Sequence, residues 1–174
     1  MSKSNVNMIA DLFSASTAAT LAAAEKVPAD RRMLQVQEGK SHPTWLLGHM
    51  AAVTGNAVMG LCLAKQPPLP ADFSPLFAPE FLGGKPIESD VAAYPSWDQI
   101  VATYKQVADA VVSAIRELDD SDLAGPPKGQ VPPPLKDRFG VLGQSLVFMA
   151  MHNTYHTGQL NLLAALDVKS GVTA

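Results

Sequence analysis

Apolar residues recur at steps of three and four along the chain, and no run alternates at steps of two as a half-buried strand does. The clearest stripe is Trp97, Ile100, Tyr104, Val107, Val111, Ala114 and Leu118, with Asp98, Lys105, Asp109, Arg116 and Glu117 lying off it. That pattern predicts a helix from just after Ser96 to about Leu118, opened by a Ser96–Gln99 capping box. A first helix runs from about Val6 to Lys26, where Val6, Ile9 and Phe13 are followed on the same line by Ser16, Thr20 and Ala23. A second starts at Pro43, a residue suited to the first helical position, with His42 or Ser41 as its cap, and ends near Lys65. A fourth runs from about Gly140 to Leu166.

Proline supplies the punctuation. Of 14 prolines, seven lie in 66–95 and five in 120–140, and proline in a helix interior removes a hydrogen bond and clashes with the preceding turn. Those clusters are loops, and the segments between them are free to be helical. The fold class that follows is all-α: a single domain, 1–174, built as a four-helix bundle with a long crossover between helices 2 and 3. A short helix is expected in that crossover around Leu76–Phe81.

Composition narrows the function. The chain has 174 residues and a net charge of −3 without a basic run, which argues against nucleic acid and anionic membrane as partners. Its one cysteine, Cys62, forms neither an internal disulfide nor a Cys-x-x-Cys metal site. The apolar stretches are interrupted by Gly, Thr, Asn or His, and Asp11 interrupts the N-terminal one, so neither a membrane span nor a signal peptide is expected. A cytoplasmic location follows as the expectation.

The chemistry is in the histidines. The second helix's seam reads Leu46, His49, Val53, Asn56, Gly60, Leu63, and the fourth's reads Ser145, Met149, His152, His156, Gln159, Leu163, Leu166. Three histidines therefore stand where a bundle wants Leu or Ile, and buried polar groups cost stability unless partnered. His152 and His156, four apart, share one helix face and can ligate one ion, with His49 as a third nitrogen from a facing helix. Imidazole suits Zn, Ni, Fe, Mn and Co. Asn153 follows His152, so this is not the His-Glu-x-x-His of zinc proteases, and no Glu-x-x-His di-iron pattern is present. Without a carboxylate ligand the site would keep the ion's charge and favour a bound anion.

The segments His42-Pro43-Thr44-Trp45-Leu46-Leu47-Gly48-His49 and His152-Asn153-Thr154-Tyr155-His156-Thr157-Gly158-Gln159-Leu160 resemble the two signatures of the DinB/YfiT-like superfamily. The resemblance implies a four-helix bundle, one divalent metal on His49, His152 and His156, and frequently a homodimer. Characterised relatives include bacillithiol S-transferases and mycothiol-dependent maleylpyruvate isomerases, and many others are called metal-dependent hydrolases without a known substrate. The implied function is a metal-dependent enzyme, a thiol S-transferase or hydrolase acting on a small molecule, possible partners including a low-molecular-weight thiol. Zn or Ni leads as the ion.

Other residues carry two readings each. Gln159 could hydrogen-bond a ligand imidazole or pair between helices. Tyr155 could donate a proton or merely pack. Asn56 could face the substrate or a helix partner, and His42 could be a fourth ligand or a cap. No Asp or Glu falls on the histidine seams to act as general base. The competing functional reading is a non-enzymatic metal- or ligand-binding stress-response bundle. A duller one has no metal, the histidines pairing with Asn56, Gln159 and Tyr155.

Overall fold

The computed structural model describes residues 3–166, and none of these forms a strand. Four long helices pack together: α1 (Ser4–Glu25), α2 (Pro43–Thr54, wound on as a π-helix through Gly55–Cys62), α4 (Trp97–Arg116) and α5 (Leu142–Ala165). α1 packs against α4 and α5, and α2 packs against the same two. The sequence predicted four helices; five α-helices are present among the described residues. The addition, α3 (Phe73–Phe77), lies in the 63–96 connection and packs on α2, ahead of the Leu76–Phe81 position expected for a short helix. A 3-10 turn occupies Glu80–Leu82 instead.

Local chemistry explains the helix ends. His42 caps α2, its Nδ1 accepting from the Trp45 N–H at 3.1 Å, with Pro43 at the first helical position. Ser96 and Gln99 form the reciprocal capping box of α4. The carbonyls at the end of α2 accept from the backbone N–H groups of Lys128 (to Cys62) and Gly129 (to Leu61), each at 2.9 Å. By length and composition, Ser4–Glu25 and Pro43–Cys62 could each cross a membrane. Most of the second is buried inside this fold, as a core helix is.

The core is two apolar clusters with a polar layer between them. One joins Val6, Ile9 and Phe13 to Val58, Cys62, Val107, Val111, Leu142 and Leu146. The other joins Trp45, Leu46, Met50, Phe77, Ile100, Tyr104 and Leu160. Between them along α1, α2 and α5 lie the buried Thr20, Thr54, Asn153 and Thr157. The Thr54 hydroxyl donates to Asn153 Oδ1 at 2.9 Å, and the Thr20 and Thr157 hydroxyl oxygens are 2.7 Å apart.

This layer corrects the predicted seams. On α5 the buried line is Leu142, Ser145, Leu146, Met149, Ala150, Asn153, Thr157, Leu160 and Leu163, so Ser145, Met149 and Leu163 are buried as expected, while His152, His156 and Gln159 are half-buried at its edge. On α2 the π-winding advances the buried face, so Ala57, Val58 and Met59 turn inward and Asn56 turns out.

Gly48 sets the approach of α3. A Cβ at that position would run into the Phe77 ring. Ala in place of a mid-helix Gly ordinarily stabilises by about 0.5–1 kcal/mol. Here Gly48→Ala should instead destabilise by about 1 kcal/mol or more, since a methyl forced into a packed contact outweighs helix propensity. Urea unfolding measures it, and a stabilised variant would contradict the packing described.

Candidate metal centre

His49 comes from α2, about two turns beyond its cap His42, while His152 and His156 come from successive turns of α5. The fold brings all three together. Their ring centres are 5.3 Å (His49–His152), 4.9 Å (His49–His156) and 4.5 Å (His152–His156) apart, and one ligand nitrogen from each lies within 4.8 Å of the others.

Hydrogen bonds fix two of the tautomers. The Phe77 carbonyl can only accept, so His49 Nδ1–H donates to it at 2.8 Å and the His49 Nε2 lone pair is left free. Gln159 Oε1 accepts from His156 Nδ1–H at 2.6 Å, which leaves the His156 Nε2 lone pair free. His152 Nε2 stands 3.1 Å from His156 Nε2, and His152 Nδ1 is buried without a partner. Two imidazole nitrogens on one tetrahedral zinc, at about 2.0–2.1 Å from it, would be about 3.4 Å apart. The His152–His156 pair is thus near coordinating separation, and the donor set of three imidazoles fits a divalent ion.

The surroundings hold the rings in place. Trp45 stacks on His49 with centres 4.5 Å apart and planes 13° from parallel. Tyr155 meets the His156 ring edge-on at 5.1 Å, and its hydroxyl accepts from Gln159 Nε2 at 3.4 Å. Of its two sequence readings, Gln159 thus makes the hydrogen bond to an imidazole of the cluster. Tyr155, 65% exposed, supports that contact from the solvent side. His42 is fully buried with both nitrogens engaged, Nε2–H donating to the Glu88 carbonyl at 3.0 Å, so it serves as a cap and not as a fourth ligand. Burial pushes the Cys62 thiol up to about 12, which leaves it unreactive.

His49 and His152 open onto a cavity of about 500 Å³. Its other walls include Asn56, Ser74, Phe81, Leu135, Arg138 and Phe148, and among the described residues no Asp or Glu lines it. The Asn56 amide donates to Ser74 Oγ at 2.9 Å. Two contributors lay beyond sequence reasoning. The Phe77 carbonyl is backbone and has no sequence signal. Arg138, in a loop, has no periodicity to mark it.

Desolvation sets the protonation states. It holds the His49 imidazolium down at about 3, helped by the neighbouring histidines, and that of His152 down at about 4, helped by His156. Burial also lowers His156 and His42. All four are neutral at pH 7, the form that ligates metal. Their folded values lie below the ordinary 6.5, so the unfolded chain takes up protons that the folded chain refuses. In chelator-treated protein, stability should be fully present above pH 6.5 and fall as pH drops from 6.5 toward 4. Denaturant midpoints across that range measure it, and a flat profile would overturn the assignment of buried neutral rings.

No curated protein and no solved structure matches the chain. A family model does, that of the DinB superfamily, over residues 12–160, a span that contains all three histidines, all of α2 and most of α5. The chain belongs to the DinB superfamily.

Proposed function

We propose that this chain is a metal-dependent enzyme, a four-helix bundle in which His49, His152 and His156 hold one divalent ion, Zn or Ni in preference to Mn, Fe or Co. The observation that carries the reading is a cluster of three neutral imidazoles, two with oriented Nε2 lone pairs, at one end of an open apolar cavity. Three protein ligands leave coordination positions for substrate, whereas a structural site closes with four. His42 is committed elsewhere and supplies no fourth.

Such an ion acidifies a bound thiol or water and so provides a nucleophile at neutral pH. The reaction we favour is transfer of a low-molecular-weight thiol to a small electrophile, with hydrolysis as the variant in which water takes the thiol's place. The chain's own residues supply the setting. Gln159 and the Phe77 carbonyl orient His156 and His49, and the apolar walls exclude bulk water from the reacting groups. With no carboxylate on the cavity wall, the site attracts anions, thiolate among them.

A homodimer is part of the proposal. Met8 and Leu12 on α1 and Val147, Met151, Tyr155 and Leu162 on α5 leave an exposed apolar stripe across two packed helices. A cytoplasmic location suits a chain with one cysteine.

Two experiments test these readings. Purified without a histidine tag, the protein should carry about one Zn or Ni per chain, and His156→Ala should lose stoichiometric binding. Gln159→Leu should keep the metal with about 10–100-fold weaker affinity. A parent that takes up no metal on incubation with Zn, Ni or Mn would refute the proposal. For the dimer, Met151→Glu should shift the sedimentation mass from dimer to monomer, and a parent that is already monomeric ends that part of it.

A further inference from the structure

Among the described residues, Arg138 is the one Lys or Arg lining the cavity. Its guanidinium sits 5.7 Å above the Phe148 ring and makes no ion pair among the described residues. Phe139 braces that ring edge-on at 6.0 Å. A guanidinium held over an aromatic face keeps its N–H edge available for a planar anion. Phe148 precedes His152 by four residues, one turn along the same face of α5 and about 6 Å along its axis. One apolar wall thus carries a cation and, a turn further on, the imidazole cluster. No acidic side chain among the described residues lines this cavity to compete for the cation.

We infer that the cavity binds an apolar carboxylate. The carboxylate pairs with Arg138, the hydrocarbon or aryl body lies on Phe148 and Met149, and the far end reaches the histidines. A carboxylate fits better than a phosphate because a single guanidinium matches it in bidentate fashion, and the walls hold no second Lys or Arg to neutralise a dianion. Asn56 Oδ1, left free while its amide donates to Ser74, offers an acceptor to a polar substituent along the body. The inference rests on the proposed metal site only for which end reacts. Carboxylate binding itself needs no metal.

The test uses the full chain, both metal-loaded and chelator-treated, with octanoate and 4-phenylbutyrate as probes and octanamide as the neutral counterpart. Calorimetry should show octanoate binding in both preparations, more tightly than octanamide. Arg138→Gln should weaken octanoate at least about tenfold, as loss of a charge-assisted pair does, and change octanamide little. Arg138 is exposed, and circular dichroism checks that the variant folds. Equal affinity for octanoate and octanamide, an equal loss of both in Arg138→Gln, or no binding of either carboxylate would overturn the inference. Failure of the metal reading looks different: no metal is bound, yet discrimination of octanoate persists.

Discussion

The hydrogen bond from His49 Nδ1 to the Phe77 carbonyl, 2.8 Å long, joins every part of the site. It fixes the His49 tautomer, and with it the direction of the lone pair toward His152 and His156. It exists because α3 lies close on α2, and α3 can lie there because residue 48 has no side chain. The Phe77 ring seals one apolar cluster of the core while its carbonyl serves the histidine. The stretch that follows α3 then walls the cavity. Packing, tautomer and cavity are consequences of one close approach between a five-residue helix and a glycine.

The site sits where the core changes character. Two apolar clusters are separated by a layer whose polar groups find partners within it, Thr54 with Asn153 and Thr20 with Thr157. Such a layer costs stability unless satisfied, and satisfied it fixes the register of α1, α2 and α5. The histidines occupy the edge of this layer, half-buried for His152 and His156 and buried for His49. That depth removes enough water to keep the rings neutral and leaves them facing an open cavity. Deeper burial would close the cavity, and full exposure would let the rings protonate below pH 6.5.

The long helices were legible because their signals are local: the stripe of α4, its capping box, Pro43 after His42, and prolines confined to two loops. The histidine trio was legible because three imidazoles break apolar periodicity on two helices. On α5 the expected seam holds at Ser145, Met149 and Leu163 and runs one residue off the buried line at His152, His156 and Gln159, since Asn153 and Thr157 are polar and hide the face they belong to. On α2 the expected seam misses at Asn56 and Gly60 and meets the core again at Leu63, because π-winding changes which residues point inward and a 3.6-residue reading cannot anticipate it. The short helix expected around Leu76–Phe81 lies at Phe73–Phe77, since five residues carry too little periodicity to fix its bounds and Pro75 falls within its first turn. The partners of the site that come from backbone or loops, the Phe77 carbonyl and Arg138, became visible only with the fold.

The central claim is that three imidazoles hold one ion with a position open for a sulfur or oxygen ligand. X-ray absorption at the metal edge of the loaded protein tests it most directly. Three imidazole nitrogens at about 2.0–2.1 Å with a light-atom ligand are expected, and a sulfur at about 2.3 Å once a small thiol is added. Four protein ligands that persist unchanged with thiol present, or fewer than three imidazoles, would contradict it.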